Sequence, residues 1–334
     1  MKKLKDITYQ SILNTMETQI AIKFVKDSFQ KELVKSLDLL RVTAPIFVVS
    51  KTGLNDNLSG VEKPVNFYVQ GIDDNVEIVH SLAKWKRMAL AKYDFKIGKG
   101  LYTDMNAIRK DEKLDFYHSI YVDQWDWEKA ISNEDRTFDY LRKTVKKIYR
   151  AIYNLEKRVA LKYPLLKQTL PKDIVFISTL ELEKRYPSLS RKEREDALAR
   201  EYKAVFLYQI GDKLSDGFSH DSRAADYDDW RLNGDILVYY EMYDMAFELS
   251  SMGIRVNKES LIYQLKQRGE EYKLDNEYCQ AILNDELPLS IGGGIGQSRL
   301  CMFMLKKAHI GEVQVSIWNQ EDIKYLESKN IFLL

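Results

Sequence analysis

Only two cysteines, Cys279 and Cys301, occur in the chain; they stand far apart, with no CxxC spacing and no paired histidines beside them. That scarcity argues against a disulfide scaffold or a structural zinc site, and a reducing cytoplasm is the expected compartment. Six prolines and fifteen glycines are too few for a long flexible linker. No internal repeat or low-complexity tract is present. Charge of one sign is lacking too: 51 basic against 50 acidic residues leave a net charge of +1. Such a balance argues against a polyanion-binding surface as the main function, while leaving room for a local basic patch. No apolar run is long enough to span a bilayer, and the basic residues 1–6 are not followed by a signal-peptide core. The expected partners therefore include neither nucleic acid nor membrane.

What remains, 334 residues at 45% hydrophobic and 30% charged, is the composition of a soluble globular protein with a substantial core. Residues 15–40 read as an amphipathic helix, with Ile22, Val25, Phe29, Leu33 and Leu37 at helical spacing. Strands are expected at 42–50 (Pro45 near its start), 66–70, 77–80, 101–108, 119–127, 174–178, 204–210, 235–242, 247–254 and 313–318. Helices are expected at 83–92, 136–161, 190–202, 257–267 and 296–307. The helix at 190 opens on Ser190-Arg191-Lys192-Glu193, a capping box. Strands in runs and helices in blocks predict an α+β fold, a large, mainly antiparallel sheet flanked by helices. The expectation is a single domain over residues 1–334.

Residues 291–305, IGGGIGQSRLCMFML, are the most informative stretch. Glycine permits close approach of backbone to ligand or neighbouring strand, and Arg299 follows where a helix should begin. A nucleotide-phosphate site and a tight, core-packed strand-to-helix turn both fit that pattern. Residues 119–127 put polar groups on a strand: Tyr121, Asp123, Trp125 and Trp127 share one face, and Val122, Gln124 and Asp126 the other. Asp235 begins one apolar strand and Glu248 lies in its neighbour, so the two acids are placed to meet across a ladder. Converging carboxylates suit Mg²⁺; solvent-facing acids would have the same spacing. Arg109 follows a strand into a loop, where arginine forks onto phosphate or carboxylate, or is simply solvated. Asp56 lies in a polar turn, Tyr227-Asp228-Asp229-Trp230 reads as an acidic loop, Ser81 caps a helix, and Lys86 on that helix faces sheet or solvent.

Taken in order, the segments at 56–60 (DNLSG), 80–87 (HSLAKWKR), 121–128 (YVDQWDWE), 213–217 (KLSDG), 227–230 (YDDW), 232–238 (LNGDILV), 248–256 (ELSSMGIRV) and 291–300 (IGGGIGQSRL) resemble ammonia-dependent asparagine synthetase. They run through nearly the whole chain. That family is in turn similar to the catalytic core of class II aminoacyl-tRNA synthetases for aspartate and asparagine. The resemblance implies an antiparallel sheet of about eight strands, a homodimer built on the N-terminal helix and the strand from Val42, Arg109 as the motif 2 arginine and Arg299 as that of motif 3. The chain departs from the family in one place: only Arg231 separates Trp230 from Leu232, where a longer loop is usual.

The implied reaction takes L-aspartate, ammonia and ATP to L-asparagine, AMP and pyrophosphate through a β-aspartyl-AMP intermediate. By the same resemblance Arg109 holds the α-phosphate and the attacking carboxylate, and Arg299 holds the γ-phosphate or stacks on adenine, with Glu248, Ser251 and Gly294 completing the nucleotide site. Asp235 and Glu248 hold Mg²⁺. Asp56, Ser81, Lys86, Gln124 and Asp126 line the amino-acid pocket, and Asp228 handles ammonia. No cysteine sits in a glutaminase setting, so the expected nitrogen source is ammonia. Two other readings remain. A tRNA synthetase would need an anticodon-reading domain, for which residues 1–41 offer mostly helix. A non-catalytic sensor would have no use for both arginines and both carboxylates.

Overall fold

The computed structural model of the chain describes residues 8–56, 58 and 62–334. The basic residues 1–6 and, from the DNLSG segment, Asn57, Ser59 and Gly60 lie outside the described residues.

Eleven strands are found among the described residues. They are β1 (Leu39–Arg41), β2 (Phe47–Val49), β3 (Asn66–Val69), β4 (Asp74–Ile78), β5 (Gly100–Ile108), β6 (Tyr121–Ala130), β7 (Val175–Ser178), β8 (Ala204–Tyr208), β9 (Asp228–Tyr240), β10 (Met245–Arg255) and β11 (Ser290–Gly296). The helices are α1 (Thr15–Leu37), α2 (Ala83–Lys92), α3 (Phe138–Lys162), α4 (Thr179–Arg185), α5 (Arg191–Tyr202), α6 (Lys258–Arg268), α7 (Glu277–Leu283), α8 (Gln297–Met304) and α9 (Gln320–Glu327). Eight strands form one sheet in the order β1-β5-β6-β11-β10-β9-β8-β7. Its outermost pairs, β1 with β5 and β7 with β8, are parallel; all pairs between them are antiparallel. A separate sheet takes β2, β4 and β3.

Local chemistry explains most boundaries. The capping boxes of α1, α4 and α5 each close on a Glu three residues after the cap; in α5 Ser190 accepts from Glu193 N and Glu193 accepts from Ser190 N. Helix α1 ends before residue 40 because Asp38 adopts a left-handed φ of 59° and Leu39 enters β1. Its buried stripe is Ala21, Val25, Phe29, Leu33 and Leu37, with Ile22 only half-buried at the margin. That stripe packs with Leu141, Val145, Ile148, Ile152 and Leu155 of α3 over one face of the sheet, where the Phe29 and Trp125 rings lie 4.9 Å apart.

Three expectations are corrected. Of the strand expected at 42–50 only Phe47–Val49 forms, as β2 of the small sheet, while β1 of the large sheet ends just before the tract. The ladder of β1 persists to Val42, whose N–H donates to Tyr102 O at 2.9 Å, and the chain then leaves the sheet through Pro45, which has no N–H to donate. Residues 313–318 form no strand. Val315 and Ile317 point to solvent, while Gln314 hydrogen-bonds Asp123 and Ser298, and Ser316 Oγ accepts from Ser119 Oγ. Finally, the acidic tract at 228–230 is the start of β9, not a loop.

The interior of the large sheet depends on β11. Gly292, Gly294 and Gly296 lie opposite Glu128, Asp126 and Gln124 of β6. A Cβ on Gly292 would sit 1.8 Å from Glu128 Oε2, and one on Gly294 would sit 2.2 Å from Gln124 Oε1. Bare backbone here is what lets long polar side chains of the flanking strands lie over the middle of the sheet. Glu128 reaches across to Arg255 of β10, which forks onto it through Nε (2.9 Å) and Nη2 (2.7 Å) and also pairs with Asp228. Gly292→Ala is therefore expected to cost about 3 kcal/mol or more, because the buried Glu128–Arg255 ion pair would have to shift. Chemical denaturation measures it; a loss below about 1 kcal/mol would show that the pair can move aside.

Candidate active site

On the face of the sheet opposite α1 a cleft of about 360 Å³ opens over β6, β11, β10 and the start of β9, the size of a small-molecule site. Every residue that the sequence singled out for binding or catalysis lines it, except Asp235. Asp235 lines an adjoining chamber that shares Glu248 and Arg299 with the cleft.

One end is built from α2, β6 and the turn around Asp56. Lys86 faces the sheet: it is 1% exposed, and its Nζ donates to Asp126 Oδ1 at 2.9 Å and Gly293 O at 3.0 Å. Burial lowers the Lys86 pKa against the pull of Asp126. The second Asp126 oxygen is enclosed and has no partner, an acceptor available to a ligand. Ser81 stands one residue before the N-cap Leu82 and accepts from Ala83 N at 3.1 Å. Asp56 is buried, with one oxygen accepting from Leu58 N. Burial raises its carboxyl to about 6, against Lys84 and with the help of Asp226.

The two arginines sit apart. Arg109, directly after β5, donates from Nη2 to His80 O at 3.2 Å and leaves its buried Nε without a partner. Arg299, on the first turn of α8, makes only long contacts of 3.4 Å with Glu248 and lies 5.3 Å above the Tyr117 ring. Helix α8 is aimed by Asp123, which accepts from Ser298 N at 3.0 Å and pairs with Lys26 of α1 at 3.0 Å.

Asp235 and Glu248 do not face one another squarely. Glu248 is paired with Leu237 and Asp235 with Ser251, a β-bulge separating the registers, so the acids are diagonal neighbours. A cation does lie at Asp235, but it is Arg223, in an ion pair. Burial pushes Asp235 up to about 8, with Arg223 opposing and Glu248 adding to the rise. Burial also works against charge on Glu248, yet Arg299 and Arg223 hold it below the usual carboxylate range. Among the described residues no cluster of three or more His, Cys, Asp or Glu side chains forms a metal cage. Two carboxylates can suffice for Mg²⁺, which takes waters and substrate oxygens as its other ligands, and Asp235 Oδ1 is enclosed without a partner. Asp228 reaches the cleft wall while paired with Arg255; burial raises its pKa against that arginine.

Sequence reasoning passed over Arg223, Arg255 and the buried Lys84–Asp226 pair (2.9 Å). An arginine inside the apolar tract 248–256 was a usable signal for Arg255; nothing in the loop around Arg223 marks it. Arg231, in place of the expected longer loop, sits in an irregularity of β9 with its guanidinium 5.6 Å from the Tyr263 ring, away from the cleft.

The sheet, the arginine after β5 and the glycine strand leading into α8 give the chain the fold of a class II aminoacyl-tRNA synthetase-like core. Solved structures bear this out at the level of fold. Asparaginyl-tRNA synthetase of Pyrococcus horikoshii complexed with asparaginyl-adenylate superposes with a TM-score of 0.63 at 15% identity, over 90% of this chain and 68% of that one. The Entamoeba histolytica asparaginyl-tRNA synthetase complex gives 0.63 at 13%, over 90% and 66%. The sequence profile described as Aspartate-ammonia ligase matches residues 16–330, and the chain belongs to that family. Aspartate–ammonia ligases of Bacillus cytotoxicus and Bacillus cereus are each 56% identical over 97% of this chain and 99% of theirs. The reaction is the ATP-dependent synthesis of asparagine from aspartate and ammonia.

Burial keeps Asp56 neutral below about pH 6, so a role as partner of the amino group of aspartate predicts binding that fades on acidification. We expect kcat/KM for aspartate to drop about tenfold per pH unit below that point, and Asp56→Asn to remove the drop while raising KM. A flat wild-type profile would exclude Asp56 as the amine's partner.

Proposed function

We propose that the ligase works by adenylation, through β-aspartyl-AMP, and that the cleft residues divide the labour as follows. The observation that carries this reading is a single cavity that joins an amino-acid-sized pocket to two arginines not committed to buried carboxylates. Asp56 takes the α-ammonium group of aspartate, while Ser81, Lys86 and Gln124 fix its carboxylates and Asp126 holds Lys86 in place. Arg109 stands where the distal carboxylate meets the α-phosphate and neutralises the charge gathering there as the carboxylate oxygen attacks phosphorus. Arg299, Gly294 and Ser251 receive the rest of the nucleotide. Asp235 and Glu248 would hold Mg²⁺, which supplies charge neutralisation on the phosphates when bound.

Ammonia then attacks the β-carbonyl, AMP leaves, and a base must take a proton from the nitrogen. Asp228 is assigned that proton, since a buried carboxylate with a raised pKa is a better base than a solvated one. The nitrogen comes from free ammonia: both thiols are fully buried and pushed up to about 12, so neither offers the thiolate that a glutaminase needs. The whole chain acts as one catalytic domain in the cytoplasm, without nucleic acid as a partner.

Two measurements bear on this. With ¹⁸O in the β-carboxylate of aspartate, label should appear in AMP; label in inorganic phosphate with release of ADP would replace the adenylate by an acyl phosphate. The working unit is proposed to be a homodimer, because Met16 and Ile20 on α1 and Leu40, Ile46 and Phe47 beyond it leave apolar side chains 44–70% exposed. Sedimentation equilibrium should return about twice the 39.2 kDa chain mass; a monomer at micromolar concentration would rule the dimer out.

A further inference from the structure

Beyond Glu248 and Arg299 the cleft continues into a side chamber of about 290 Å³, walled by the first turns of α5 and the segment leading to β9. Lys192 of α5 reaches into it, with its side chain half exposed. Its Nζ is held by Glu195 Oε2 at 3.0 Å, and the other Glu195 oxygen, Oε1, contacts His220 Nε2 at 2.9 Å. His220 itself is 4% exposed, and its enclosed Nδ1 has no hydrogen-bond partner. A lysine that merely solubilised the surface would have no use for a buried histidine and a glutamate arranged behind it. Burial works against charge on Lys192, but Glu195 outweighs it and keeps the ammonium charged.

The charge balance of the cleft explains what such a lysine is for. Lys86 is committed to Asp126, Arg255 to Glu128 and Asp228, and Arg223 to Asp235. That leaves Arg109 and Arg299, the latter in a 3.4 Å contact with Glu248, beside the Mg²⁺ assigned to Asp235 and Glu248, to face a triphosphate of about four negative charges, and a further cation near its terminal part adds stabilisation once that part becomes a leaving group. The chamber is lined by both Arg299 and Lys192, and none of the residues assigned to the amino-acid pocket reaches it.

We propose that this chamber receives the β- and γ-phosphates of ATP and then the pyrophosphate, with Lys192 touching them and Glu195 and His220 acting as positioning residues. The inference rests on the adenylation reading. As the aspartate oxygen bonds to the α-phosphorus, the bond from that phosphorus to the α,β-bridging oxygen breaks. The electron pair stays on that oxygen, and the added charge of the departing pyrophosphate develops beside Arg299 and Lys192.

The test is Lys192→Met. The inhibition constant of pyrophosphate against ATP should rise at least about tenfold, KM for ATP should rise with it, and KM for aspartate and the melting temperature should stay as they were; Lys192→Arg should recover most of the loss. An unchanged pyrophosphate constant in a variant that still forms AMP and pyrophosphate would overturn the assignment. So would equal losses for ATP and aspartate accompanied by a lower melting temperature. Should Lys192→Met fail to fold, Glu195→Gln, which leaves the lysine but loosens its hold, should show a smaller shift in the same constant, and no shift would overturn the proposal. Failure of the underlying reading is distinct: the wild-type enzyme would then release ADP and phosphate, visible by phosphorus NMR, with no pyrophosphate at all.

Discussion

The rest of the site depends on one strand having almost nothing on it. In the middle of a sheet, each position normally carries a side chain that meets its cross-strand neighbours at about 5 Å. Along β11 that layer is missing on the cleft side, and the vacated space is filled by Gln124, Asp126, Glu128 and Arg255 from the strands to either side. Polar groups that would be isolated in separate columns are thereby brought within hydrogen-bonding distance of each other. The helix that follows inherits its direction from the same strand, so Arg299 is placed by a backbone whose position the packing leaves little freedom to change.

A second regularity runs through the interior: most cations in the cleft are already paired. Lys84 with Asp226, Lys86 with Asp126, Arg255 with Glu128 and Asp228, and Arg223 with Asp235 are all held among enclosed groups. Burying such pairs contributes little net stability, since desolvation offsets most of the Coulombic gain. What they supply is a fixed field. A ligand entering the cleft meets dipoles and charges that need not reorganise, the condition under which electrostatic stabilisation of a transition state is largest.

Much of this was legible in the sequence because the relevant signals are local. The glycine run, the alternation along 119–127 and the capping box at Ser190 each report on neighbours within a few residues, and each appears in the structure where the pattern put it. The ladder partners were less legible. Asp235 and Glu248 were seen to lie on adjacent strands, but the bulge that offsets them depends on how the residues between Glu248 and Ser250 fit the neighbouring strand. Arg223 was invisible: it comes from an irregular segment, and only the tertiary fold carries it to Asp235. The tract at 313–318 failed for the complementary reason, since β-branched residues and alternation describe an extended chain equally well whether or not a neighbouring strand is there to pair with it.

Cys279 lies in α7 near the Lys84–Asp226 pair, and Cys301 lies in α8 under the glycine strand; both are 0% exposed. Neither thiol can meet an alkylating reagent until the helix that carries it detaches. The chain thus contains two built-in chronometers of opening, one for α7 and its packing beside the Lys84–Asp226 pair and one for the seat of Arg299. In the folded enzyme their modification rates report how often each part comes loose. Substrates that knit the cleft together would slow both clocks, whereas a ligand gripping one end would slow only one.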